Sequence, residues 1–335
     1  MTIDPQRHSA LLAAKLNALV RDHAGEGPGV LGSFGEGAAL VRDGEAWVLA
    51  ADRPHRILGP ALAWARQQGA DGCVHVLVEG AGAGVVARRA GEFRGDVHVW
   101  KIDGRSLTPA TPTPFPAPIA LDPSVRAFEP MILAAGAEPS IEHGVLAGEV
   151  AGLEVCRVMV DAAMPDPGSR RPRLEVGVGF SDREAFRAVH GDEPTPEALA
   201  EIVRRVWERR RPGAPPHALN RLARERRLRH QVLASPAALG CVTLTTAPPP
   251  VPRANLKEPV PCVAVGETAD GAPAVVVCSS GIDLDLIPFA ADARLALEPG
   301  ARLLVAVPPA DRHPVTLALA ARLCVPASVI AFAIA

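Results

Sequence analysis

The chain has no tyrosine, and aromatic residues make up only 4% of its 335 positions. Its cores must therefore be built from Ala, Val, Leu and Ile. Lysine is nearly as scarce. Lys15, Lys101 and Lys257 are the only three, so almost all of the 35 basic residues are arginine. With Ala, Pro and Gly abundant, this composition points to the codon bias of a GC-rich genome, which lowers the weight of arginine richness as a functional sign. Net charge is −2, so no global field draws the chain onto nucleic acid or an anionic membrane, and any such binding must be local. No two of the six cysteines stand at Cys-x-x-Cys spacing, and no histidine cluster accompanies them, which speaks against a structural zinc site. Cys73, Cys262, Cys278 and Cys324 lie in or beside apolar runs and read as small buried hydrophobes in a reducing compartment. The first twenty residues lack the charged, apolar and small-residue order of a secretory leader. The most apolar stretch, 317–335, is interrupted by Arg322 and Pro326, which suits a buried helix and strand better than a membrane span. The expectation is a cytoplasmic protein with no membrane partner. Gly-x-Ser-x-Gly is absent, and no Ser-His-Asp arrangement stands out.

Hydrophobic periodicity predicts an α/β protein. Leu11, Leu12, Leu16, Leu19 and Val20 give a helix over 9–22. Strands follow at 30–42 and 45–50, turned by Asp43-Gly44, a hairpin signal. Then come a helix at 56–68, a strand at 74–79, a helix at 84–93 and a strand at 97–102. Six prolines in 108–123 read as an extended linker. This divides the chain into a domain over 1–107, the linker, and a domain over 124–335. The second domain opens with a helix at 124–135 and strands at 145–160 and 172–180, separated by a loop with Pro165, Pro167 and Gly168. An arginine-rich helical insertion occupies about 184–240. A strand at 241–246 and a proline-rich stretch at 247–261 follow. Strands are then expected at 262–267, 274–279, 302–307 and 328–334, with helices at 284–296 and 314–324.

The two ends echo each other. WVLA at 47–50 matches VVVC at 275–278, and Pro60, Ala63, Ala65 and Arg66 match Pro288, Ala291, Ala293 and Arg294. Each unit begins with a hairpin turned by Asp-Gly. Near-continuous apolar strands such as VHVLV and LLVAV indicate a sheet covered on both faces. The expectation is two pseudo-repeated mixed-sheet domains with flanking helices.

A helix, a hairpin, then helix, strand, helix, strand resembles the PD-(D/E)XK nuclease fold, in particular its restriction-endonuclease-like and transfer-RNA-splicing-endonuclease-like members. The resemblance implies a Glu-x-Lys at the end of the second hairpin strand, where carboxylates and a lysine hold Mg²⁺ and the attacking water. The corresponding strands here read EAWVLAAD at 45–52 and APAVVVCS at 272–279, and neither contains that motif. The resemblance therefore implies tandem degenerate copies that do not cleave.

Three groups of residues are candidates for function. Glu154, Glu175 and Asp182, with Glu149 nearby, could present carboxylates to a divalent metal and make the chain a metal-dependent nuclease. The alternative is solvent-facing acids on a half-exposed sheet. Gly82, Gly84 and Ala87 after a strand, with Asp103 ending the next, are similar to a dinucleotide-binding turn. The alternative is a flexible turn into a helix, and no cofactor is expected. Residues 201–230 hold ten Arg and three Glu, a local excess of seven positive charges. Arg204, Arg205, Arg209, Arg210, Arg211, Arg221 and Arg224, with His217 and Asn220 on the same helical face as Arg221 and Arg224, could bind nucleic acid or another polyanion, with Trp207 able to stack a base. A solvated helical face, or docking to a protein partner or a second copy, is the competing reading.

Overall fold

The computed structural model describes residues 4–35, 37–51, 53–160, 171–191, 194–251 and 260–333. Asp52, the loop residues Pro165, Pro167 and Gly168, and positions 252–259 of the second proline-rich stretch, Lys257 among them, lie outside the described residues. The chain is α/β, with two mixed sheets and one antiparallel sheet among the described residues. It divides into two compact units. Unit 1 takes in Met1–Phe115, Ile282–Ala296 and Arg312–Val329, and unit 2 takes in Pro116–Gly281, Leu297–Asp311 and Ile330–Ala335. The first division falls inside the proline-rich segment, while two C-terminal helical segments are grouped with the N-terminal residues.

In unit 1, helix α1 (Pro5–Ala24) is capped by the Asp4 side chain, which accepts from the Gln6 amide. Strands β1 (Val30–Gly32), β2 (Gly37–Arg42) and β3 (Glu45–Ala50) form an antiparallel meander. The expected strand at 30–42 is thus two strands. Helix α2 (Leu58–Gln67), strand β4 (Cys73–Glu79), helix α3 (Ala83–Ala90) and strands β5 (Asp96–Asp103) and β6 (Ser106–Pro109) complete a six-stranded sheet in sequence order, with β3, β4 and β5 parallel. Leu16, Leu19 and Val20, spaced i, i+3, i+4, pack α1 onto Leu40, Trp47, Leu49, Leu77 and Ile102. Ala46, Val48, Val74, Val76 and Val78 are buried on the opposite face.

Helices α8 (Leu286–Leu297) and α9 (Pro314–Ala321) contribute to the same unit. Gly59 of α2 permits a close approach, since a Cβ there would stand 1.9 Å from the Leu284 carbonyl oxygen. Asp292 of α8 is fully buried and receives Arg88 in a fork (Nε–Oδ1 2.8 Å, Nη2–Oδ2 3.0 Å). Arg89 reaches both Asp292 (3.2 Å) and Asp285 (2.8 Å). Phe93 and Leu323 form an antiparallel bridge, with the Arg94 amide donating to the Arg322 carbonyl at 2.9 Å and the Cys324 amide to the Glu92 carbonyl at 2.8 Å.

Unit 2 contains a four-stranded antiparallel sheet, β7 (Glu138–Glu142), β8 (Val145–Val150), β9 (Leu153–Val160) and β10 (Pro172–Val176). The expected single strand at 145–160 is therefore a hairpin. Its two-residue turn is Ala151-Gly152, both at positive φ (45° and 76°), the backbone of a tight hairpin without its usual Asn-Gly signature. Helices α4 (Glu129–Ala134), α5 (Phe180–His190) and α6 (Pro196–Arg210) accompany this sheet, and Ile132, Leu199, Val203 and Val206 enter its core. Helix α5 begins at Phe180, where a strand was expected, because β10 stops at Val176.

The last sheet runs β11 (Cys241–Ala247), β12 (Cys262–Thr268), β13 (Pro273–Cys278), β14 (Arg302–Val307) and β15 (Ser328–Ala331) in order, antiparallel to β13 and parallel from β13 to β14. Helix α7 (Arg224–Ala234) buries Leu228 and Val232 against it. Helix, three-strand meander, helix, parallel strand, helix and strand thus occur twice, with α7 in the place of α1. The WVLA–VVVC match is out by one residue. Trp47 pairs with His75 and packs under α1, whereas under α7 it is Val276, paired with Leu304, that packs. Since side chains alternate faces, Val276 and not Val275 corresponds to Trp47.

Candidate functional site

In unit 2 the acids expected to hold metal are engaged by arginines. Glu154 accepts Arg157 in a fork (2.6 and 2.8 Å) and Arg183 at 3.3 Å. Glu175 accepts Arg173 at 2.8 Å and lies 3.4 Å from Arg183. Asp182 instead accepts the Val178 amide at 2.6 Å, in the first turn of α5. Glu149 is buried and, with Glu142, receives both Arg226 and Arg229. Burial opposes the charge on these two guanidiniums, and the two carboxylates more than offset it, so both are more basic than a free arginine. Glu154 and Glu175 thus share Arg183, while Asp182 serves its own helix.

The glycine turn in unit 1 is packed by its own chain. A Cβ on Gly84 would stand 1.9 Å from Thr113 Oγ1, and the Thr113 amide donates to the Gly84 carbonyl at 3.0 Å. Gly82 lies against Pro54. Asp103 is exposed at the end of β5, in the turn to β6. Gly84 makes room for residues 111–113 at the start of α3, the place a pyrophosphate would take.

The arginine-rich stretch separates into distinct groups. Arg226 and Arg229 are buried in the carboxylate cluster just described. Arg204 and Arg205 pair along α6 with Glu201 and Glu208. Arg210 is 1% exposed and donates to the carbonyls of Ala151 (2.9 and 3.3 Å), Leu219 (2.6 Å) and Leu222 (3.2 Å). Burial, followed by the charge of Arg227, pushes its pKa down to about 10. His217 caps a short turn, its Nδ1 accepting the Leu219 amide at 3.2 Å, and Asn220 Oδ1 is buried without a partner among the described residues. Arg209, Arg211, Arg221 and Arg224 are exposed and make no ion pair among the described residues. Arg210 ties the end of α6, which carries Arg209 and Arg211, to the 219–222 turn, which carries Arg221 and leads into α7 at Arg224. Trp207, 44% exposed, lies on the same helix.

A further constellation, which the sequence reading did not single out, lies on the α1 face of the unit 1 sheet. Trp47, His75 and His98 stand opposite one another on β3, β4 and β5. The His75 imidazole stacks on Trp47 (3.7 Å between ring centres, 7° between planes) and faces His98 at 5.0 Å. Its Nε2 lies 3.1 Å from Glu45 Oε2 and 3.3 Å from Cys73 Sγ, while Trp100 donates its indole N–H to Nδ1 at 3.0 Å. Indole only donates, so Nδ1 holds the lone pair and Nε2 carries the proton towards Glu45. Burial keeps the imidazole below its ordinary pKa against the pull of Glu45, and burial with the charges of Glu45 and Asp96 raises the Cys73 thiol. Glu45, Cys73 and His75 are the one set of three metal-ligating side chains that converge among the described residues. Period two in the expected strands was the signal: Glu45 and Trp47, Cys73 and His75, and His98 and Trp100 each share a face.

No family model, curated protein or solved structure matches the chain. Among the described residues no helix is long and apolar enough to cross a membrane.

Proposed function

We propose that the chain is a non-catalytic binding protein that takes nucleic acid or another polyanion on the arginine surface around Arg210. The observation that carries this reading is the grouping of Arg209, Arg211, Arg221 and Arg224, exposed and unpaired among the described residues, by the buried hydrogen bonds of Arg210. Arg forks fit phosphate oxygens, and the half-exposed Trp207 offers a stacking face beside them. The arginines on Glu154 and Glu175 support binding without cleavage, because those carboxylates already have cationic partners. The repeated helix–meander–helix–strand unit is in keeping with a degenerate nuclease-like scaffold, and six free cysteines are in keeping with work in the cytoplasm.

Four phosphate contacts give a salt slope, d log K/d log[salt], of about −3.6 on duplex and about −2.8 on a single strand. Fluorescence anisotropy with labelled oligonucleotides between 50 and 200 mM salt reads this slope. Arg209→Ala with Arg211→Ala is expected to halve it. Binding that is absent at low salt, or unchanged in that double variant, rejects the proposal.

A further inference from the structure

We infer that Glu45, Cys73 and His75 form a binding site for a zinc-like divalent cation, separate from the arginine surface.

The donor set and its spacing carry the inference. Thiolate, imidazole and carboxylate are the three ligand types zinc accepts, and three protein ligands leave a fourth position for water. Zinc bonded to sulfur at about 2.3 Å and to nitrogen and oxygen at about 2.1 Å, at tetrahedral angles, sets S···N near about 3.6 Å and N···O near about 3.4 Å. The separations here are 3.3 Å and 3.1 Å, so a slight spreading of the three side chains admits the ion. The ligands stand on adjacent parallel strands, and the stack of Trp47, His75 and His98 holds the imidazole plane. Glu45 and Cys73 are only part-buried, which leaves the ion a way in from solvent.

The internal repeat acts as a control. Counted from the Trp47–Val276 and His75–Leu304 equivalence, the positions of Glu45, Cys73 and His75 are Ala274, Arg302 and Leu304 in the second copy. The same fold is therefore built there without any of the three ligands, and packing alone does not require them.

The tautomer of His75 makes the inference sharper. Nε2 must give up its proton to bind the ion, and a neutral imidazole then carries that proton on Nδ1. There it meets the Trp100 N–H, which now points at Nδ1 from 3.0 Å. Cation binding must therefore turn Trp100 away. In the balance, the thiol proton leaves to water, the imidazole proton passes from Nε2 to Nδ1 through solvent, and bonds form from the ion to Sγ, Nε2 and a Glu45 oxygen. Trp100 opposes binding and also reports it.

The test is calorimetric titration of ZnCl₂ into chelator-treated, tag-free full-length protein, followed in parallel by tryptophan fluorescence. The expected result is one zinc per chain with a change in Trp emission and uptake of about one proton by the buffer. Cys73→Ser is expected to weaken binding at least about 100-fold, the upper end of what loss of a mere supporting partner costs. Glu45→Gln, at a part-exposed position, keeps the test open if the cysteine variant does not fold. Trp100→Phe removes one hydrogen bond of the free state and is expected to tighten binding about threefold to tenfold. No zinc binding, or equal binding in Cys73→Ser and Glu45→Gln, overturns the site. Weaker binding in Trp100→Phe overturns the tautomer argument that defines it.

Discussion

Arg210→Met removes a cation whose hydrogen bonds all go to neutral carbonyls and none to a carboxylate. Two acceptors lose their donor, the Ala151 oxygen in the β8–β9 turn and that of Leu222, while the Leu219 oxygen loses one bond and keeps the Leu222 amide at 3.2 Å. At about 1–3 kcal/mol for each of the two groups left unsatisfied, and about 0.5–1.5 kcal/mol for the bond lost at Leu219, the gross loss is about 2.5–7.5 kcal/mol. Against this stands relief from holding a charge in a dry place. The fall of the guanidinium pKa to about 10 corresponds to about 3 kcal/mol at neutral pH. The apolar methionine stem adds a little back. The balance is a destabilisation of about 2 kcal/mol, centred on the hairpin and on the end of α6. Urea unfolding measures its size, and native-state hydrogen exchange of the amides in Val145–Val160 locates it. The same variant frees the end of α6 from the 219–222 turn and should weaken oligonucleotide binding although no phosphate-facing arginine has been touched. A stability change below about 1 kcal/mol, or exchange that rises evenly over the chain, refutes the assigned role of Arg210.

Two further outcomes follow from the geometry. Burial raises the Asp285 carboxyl to about 7 despite Arg89, so its protonated form favours the folded state. That contribution is full below about pH 4 and is lost as pH climbs through about 7. Asp285→Asn, always neutral, should therefore gain on the wild type by up to about 1.4 kcal/mol per pH unit between pH 5 and 7, read as thermal melts across pH; parallel profiles for the two proteins refute it. Gly152→Ala should destabilise unit 2 by about 2–4 kcal/mol, because the position has φ 76° and a Cβ there would stand 2.3 Å from the Arg226 backbone; a denaturation midpoint equal to wild type would show that α7 can move aside.

Strands and helices with strong periodicity were legible in the sequence, and so was the recurrence of their order. The Asp43-Gly44 and Asp270-Gly271 turns carry explicit hairpin chemistry, and structure bears hairpins at both. The Ala151-Gly152 turn does not carry it, since tertiary contacts from Arg210 and α7 supply what the residue pair lacks, and a strand was expected to run through it. Repeat matching by residue similarity slipped by one because valines and alanines fill both faces of these buried strands, so nothing in Val275 against Val276 marks a side. The candidate sites divide along the same line. Glu45, Cys73, His75 and Trp100 could be aligned from strand period and parallel register alone. The partners of Glu142, the Arg183 partner of Glu154 and the Ala151 partner of Arg210 come from tens of residues away, which local pattern does not encode. A run of ten arginines therefore looked like one cationic face, whereas the fold spends several of them on buried carboxylates and carbonyls.

The grouping of 282–296 and 312–329 with the first 115 residues has a consequence for synthesis. Arg88 and Arg89 find Asp292 only after more than 200 further residues have been made, and the Glu92–Arg94 segment meets Arg322–Cys324 about thirty residues later still. During translation the amino-terminal sheet must wait, with α2 and α3 uncovered, until those two segments have been made. A chain cut short before residue 282 would lack every one of these partners.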